Sequence, residues 1–142
     1  MLSRKELITQ AIKSCKYQDD LSIDSVKRYV RACEYIYKND SYLTVTDIIN
    51  LGNIISKKNN GFRCTPVIFK DGNKGVHYAQ IPRLIENICM ARKEYRITVR
   101  EFFIQFELIH PFNDGNGRVG EILFWWMIGN FYSPEEYFTR KI

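Results

Sequence analysis

The stretch Leu108-Ile109-His110-Pro111-Phe112-Asn113-Asp114-Gly115-Asn116-Gly117-Arg118 decides how this chain is read. Pro111 disfavours helical backbone at the residue before it, so His110 is expected at a junction between a helix and a loop. Gly115, Asn116 and Gly117 allow positive φ and turn their N–H groups inward just before an apolar segment. This is the pattern of an anion nest on a helix N-terminus, where free amides and the helix dipole both favour phosphate. Asp114 lies beside the nest, and a carboxylate next to phosphate calls for a divalent cation between them. Magnesium suits that place, because it binds through one or two carboxylates plus phosphate oxygens and water. Arg118, one helical step in, can clamp a phosphate with its guanidinium fork. His110, with an ordinary pKa of ~6.5, can take a proton from an attacking hydroxyl. Read singly, each residue is bland: a histidine before proline is commonly structural, Asp-Gly-Asn-Gly a turn, and arginine after glycine a solvated helix start. Phe112 reads as core in either case, holding the loop down. Their joint occurrence in fixed order points to phosphate-transfer chemistry.

The elements follow outward from this stretch. Val119 to Ile128 is apolar on nearly every side, which predicts a central, buried helix. Ser133-Pro134-Glu135-Glu136 reads as the start of a short last helix. Upstream, Thr98 stands three residues before Glu101, the spacing of a capping box, and opens a helix carrying Val99, Phe102, Phe103, Phe106 and Ile109. Pro82 fits the first turn of a helix with Leu84, Ile85, Ile88, Cys89 and Met90. Between Phe62 and Tyr78 the texture changes to two short strands around Asp71-Gly72-Asn73, with Pro66 confining its strand to an edge. An unpaired edge inserted among helices can pair with another chain's backbone by strand addition. Thr46 precedes a helix of Ile48, Ile49, Leu51, Ile54 and Ile55, and Ser22 caps an amphipathic one running from Ile23 to Tyr37. The expected architecture is mostly α, a helical bundle with one β-hairpin. It forms a single domain over 1–142, with N-terminal helices over 3–40 and a core over about 44–130.

Composition bounds the partners. The 142 residues leave room for one domain, and 45% apolar against 26% charged residues exclude a disordered chain. Lys and Arg number 21 against 16 Asp and Glu, but the cations are scattered, so no nucleic-acid partner is expected. Cys15, Cys33, Cys64 and Cys89 lie far apart without zinc spacing and read as free buried thiols in a reducing compartment. Met1 to Gln10 carries Lys5 and Glu6 and does not read as a secretory leader. Ile122 to Ile128 falls far short of the ~20 residues of a membrane span, so no membrane partner is expected and the location reads as cytoplasmic.

The stretch His110 to Arg118 resembles the motif HxFx(D/E)GNGRxxR of the Fic family, and Phe62 to Val67 with Gln80 to Leu84 resembles that family's flap and the helix after it. The likeness covers about Thr44 to Asn130 and implies a Fic-like helical bundle with a β-hairpin flap. It implies transfer of AMP from ATP to a target-protein hydroxyl, with magnesium and release of pyrophosphate. His110 would be the general base and Asp114 the magnesium ligand. Gly115, Asn116 and Gly117 would form the phosphate nest, and Arg118 the clamp. Val67, Ile68, Phe69 and His77 would lie in the flap that aligns the target, although His77 reads better as an ordinary exposed hairpin histidine. One position departs from the motif. Glu121 stands where the pattern has a second Arg, and a carboxylate there would repel a γ-phosphate or pair with Arg118. Doc-type relatives, which move the terminal phosphate, also lack that Arg, but carry Lys where this chain keeps Gly117. Phosphotransfer, another diphosphate donor, or a degenerate nucleotide- or peptide-binding module are thus the alternatives to AMP transfer. The (S/T)xxxE(G/N) signature of the family's inhibitory helix is not found, which implies either a separate small antitoxin or an unregulated toxin, effector or phage protein delivered by another route.

Overall fold

A computed structural model describes residues 3–39 and 42–128. Within them lie six α-helices: α1 (Arg4–Tyr17), α2 (Ile23–Tyr37), α3 (Val45–Ile55), α4 (Ile81–Lys93), α5 (Val99–Ile109) and α6 (Asn116–Met127). Their starts are written locally. Ser3 with Glu6, Thr44 with Asp47, and Thr98 with Glu101 form capping boxes on α1, α3 and α5, and the Ser22 hydroxyl accepts from the Ser25 N–H on α2. Each such cap satisfies donors that the first helical turn leaves orphaned, at a gain of about 1 kcal/mol.

The centre of the fold is α6, in which every side chain from Arg118 to Trp125 is buried. It packs against α5, α3 and α2, while α1 lies on α2 and α4 on α5. Gly120 lies where α5 comes close: a Cβ there would stand 3.1 Å from the Phe103 ring, tighter than ordinary packing. Trp125, Phe106, Phe112 and Ile122 are fully enclosed, each such side chain contributing roughly 1.5–3 kcal/mol by leaving water.

Three expectations are adjusted. The buried helix expected from Val119 begins three residues earlier, because Gly115 at φ 80° forms a left-handed cap and the first turn closes directly on Asn116. The two strands do not form. A single antiparallel bridge joins Ile68 to Lys74, closed by Phe69 N–H to the Asn73 carbonyl (2.8 Å) and Gly75 N–H to the Val67 carbonyl (2.8 Å). The ladder stops there for a physical reason. In this register the next hydrogen-bonded pair would be Thr65 with His77, and the Thr65 carbonyl that His77 would need is taken by the Arg63 guanidinium at 2.7 Å. All four cysteines are free, but Cys64 is exposed; burial pushes the thiols of Cys15 and Cys89 up to about 11 and about 12. The expected helix at Ser133 to Glu136 lies outside the described residues. Among the described residues no helix is long and apolar enough to cross a membrane.

Candidate functional site

The loop between α5 and α6 opens onto a cleft of about 630 Å³, walled on the opposite side by the turn joining α1 to α2. A larger groove of about 900 Å³ between α1 and α2 is lined mainly by aliphatic side chains; the smaller cleft holds His110, Asp114 and the N-terminus of α6. His110 caps the C-terminus of α5 in left-handed backbone (φ 50°), its N–H donating to the Phe106 carbonyl at 3.1 Å. A non-glycine residue in that region costs roughly 1–2 kcal/mol. Pro111 and the packing on either side hold it there, and the imidazole faces the cleft. Burial, and after it the nearby Arg63 cation, keeps His110 below its ordinary pKa of 6.5, so at neutral pH it is an uncharged base.

The loop itself is locked from inside. The Asn116 side chain accepts from Phe112 N–H (2.8 Å) and donates to the Phe112 carbonyl (2.9 Å). That amide is therefore committed to the backbone, and what Asn116 offers a phosphate is its own N–H in the first turn of α6, with those of Gly117 and Arg118. Phe112 fills the space over Gly52, where a Cβ would stand 2.2 Å from its ring. At Gly115 a Cβ would stand 2.4 Å from Ile55, so both the positive φ and the close approach require glycine. Gly117 faces the Gln18 side chain, whose amide nitrogen is 2.9 Å from the place of a Cβ.

Asp114 is held on three sides. The Ser56 hydroxyl donates to its carboxylate at 2.7 Å, and Asn59 clamps its backbone, accepting from its N–H at 3.1 Å and donating to its carbonyl at 2.8 Å. Arg118 is almost fully buried and splits its guanidinium between two carboxylates, Asp20 at 2.9 Å and Asp114 at 3.4 Å. A phosphate bound by Arg118 would compete with Asp20 and Asp114 for the guanidinium. Ser56, Asn59 and Asp20 carry no motif signal, and their distance along the chain hides them from sequence reading. No three His, Cys, Asp or Glu side chains among the described residues form a metal cage. A single hard carboxylate oriented by Ser56 suits a cation that completes its shell from phosphate and water.

Glu121 departs from expectation. It is fully buried, accepts a hydrogen bond from the Tyr29 hydroxyl of α2, and does not line the cleft. The cause is helix packing: α2 lies on that side of α6, and Arg118 finds its partners in Asp20 and Asp114 instead. The Glu121 carboxylate is turned toward α2 and lies outside the lining of the cleft where a phosphate would sit. Of the expected flap residues, Phe69 meets His110 edge-on at 5.6 Å between ring centres, while Ile68 projects outward at 70% exposure and Val67 is half-buried. His77 is exposed and structural: its Nδ1 accepts from Ala79 N–H at 3.1 Å, starting a short 3-10 turn, and its ring stacks on Tyr78.

The model of the Fic/DOC family matches residues 42–128. Among solved structures, a Fic domain containing signaling protein from Bacteroides thetaiotaomicron is similar in fold, with a TM-score of 0.57 at 17% identity. The match covers 87% of this chain and 55% of that one, so the chain spans about half the length of the protein it resembles. No curated protein matches the chain.

Proposed function

Because the chain belongs to the Fic/DOC family, whose members are typically transferases, we propose that it moves AMP from ATP to a hydroxyl of a target protein. The observation that carries this reading is the convergence in one cleft of an uncharged His110, the N-terminal amides of α6, Asp114 and Arg118. Gly117 supports the AMP form of the chemistry over movement of the terminal phosphate. The phosphotransferase relatives bear a lysine at this place, and this chain keeps glycine there.

In the reaction, His110 takes the proton as the target Ser, Thr or Tyr oxygen bonds to the α-phosphorus. The bond to the bridging oxygen breaks, and pyrophosphate leaves with the bridging electron pair. The amides of Asn116, Gly117 and Arg118 meet the charge that gathers on the phosphate oxygens, and Arg118 exchanges Asp20 for phosphate. Asp114 would hold magnesium, which when bound supplies neutralisation of the polyphosphate. The bridged turn over 67–75 would carry the target's main chain past His110, with Phe69 against the imidazole.

ATP labelled on one phosphorus at a time, incubated with the protein and a cell lysate, tests the reading. Label transferred from the α-phosphate supports it. Label transferred from the γ-phosphate makes the protein a phosphotransferase, and none from either leaves a binding module.

A further inference from the structure

Arg63 is 2% exposed, and its positive charge meets carbonyl oxygens. Its Nε donates to His110 (2.7 Å), one Nη to Thr65 (2.7 Å), and the other Nη to Val76 (2.8 Å) and Ile109 (3.3 Å). Its own N–H donates to the Pro111 carbonyl at 2.8 Å. Ile109 and His110 end α5, where carbonyls have no intrahelical donor, and Thr65 and Val76 stand at the feet of the bridged turn. A buried cation held by carbonyls alone is an expensive way to cap a helix, since its desolvation is offset only by charge-assisted hydrogen bonds.

Building on the transferase reading, we propose that Arg63 is the positioning residue that fixes the base to the target-aligning turn, so that a peptide held on the turn arrives in register with the His110 imidazole. The fork geometry is what makes this arrangement specific to arginine: three nitrogens reach four carbonyls on two segments at once, which a lysine ammonium cannot span in one plane. The edge-on contact of Phe69 with His110 completes the unit from the side-chain direction. Arg63 touches no reacting atom; it acts through His110 and through the turn.

The test uses Arg63→Lys, which keeps the charge and loses the fork. The chain has two histidines, so its imidazole NMR spectrum holds two signals, and His77→Asn assigns them. In the lysine variant the His110 signal should shift and broaden, kcat for transfer should fall ~10²-fold, and KM for ATP should stay where it was, because the nest and Asp114 are untouched. Ile36→Val, a core change that lowers stability, should leave the His110 signal in place. If Arg63→Lys does not fold, relaxation dispersion on the wild-type protein decides. The His110 imidazole and the amides of Phe69 and Gly75 should then exchange in one process with one rate. An unmoved His110 signal in the variant, a rise in KM for ATP in place of the fall in kcat, or independent exchange rates in the wild type would each overturn the proposal. A wild type that transfers nothing from ATP overturns the transferase reading alone, since the NMR results stand without it.

Discussion

Replacing Asp20 with Asn sets stability against nucleotide affinity. Arg118 is 4% exposed and Asp20 44%, with 2.9 Å between them, so the pair lies between an exposed bridge and a buried one. Exposed bridges are worth about 0.2–1 kcal/mol, and breaking a buried one costs about 3–5 kcal/mol. Asn keeps an acceptor for the Arg118 N–H and loses only the charge, which places the cost near 1 kcal/mol. For a chain of this size that lowers Tm by roughly 3–5 °C. Binding ATP moves the opposite way. If the phosphate takes the guanidinium from Asp20, the wild type gives up the ion pair on binding and the variant has already lost it. The same ~1 kcal/mol then returns as about 5-fold tighter ATP. Thermal denaturation of the free protein and calorimetry with ATP and magnesium measure the two effects. Lower stability together with weaker or unchanged ATP binding would refute the reasoning, because Asp20 would then be orienting Arg118 toward the phosphate and not competing with it.

Gly115→Ala should destabilise the fold by about 3 kcal/mol in urea titrations, through left-handed backbone at φ 80° and the 2.4 Å approach to Ile55, and Ile55→Ala should relieve part of that cost. His110 carries a folded-state pKa below 6.5, so the midpoint of the pH–rate profile should lie below 6.5; stability linked to His110 is fully present above its unfolded pKa and is lost as pH falls through the folded one. A rate profile whose midpoint lies above pH 6.5 would place the base elsewhere. Asp114→Ala should remove the magnesium dependence of ATP binding in calorimetry; equal binding by both proteins, with and without the metal, would make Asp114 a turn residue.

Much of the helical frame was legible because its signals are local. Ser22, and Thr98 with Glu101, announce their helices within four residues, and Pro82 and Pro111 mark a start and a stop that the chain obeys. Where local signals compete, tertiary contact decides. Asn116 and Gly117 read as loop, yet Gly115 in left-handed backbone lets them begin α6. Phe62 to Tyr78 reads as two strands around a turn, yet Arg63 takes the Thr65 carbonyl that the next ladder pair would need. The candidate site divides in the same way. Its motif residues are contiguous and could be read as a group, whereas Ser56, Asn59 and Asp20 reach the loop across 55 to 98 residues of chain. Glu121 could be placed on a face of a helix from the sequence, but only the position of Tyr29 shows which neighbour that face meets.

The measurement that bears most directly on the proposed chemistry is transfer of α-phosphate label from ATP by His110→Ala beside the wild type. Removing the proton acceptor should lower the rate by ~10² to 10⁴ while ATP affinity and Tm stay close to those of the wild type, because the imidazole contributes little to either nest or core. Transfer at the wild-type rate by the alanine variant would contradict the account.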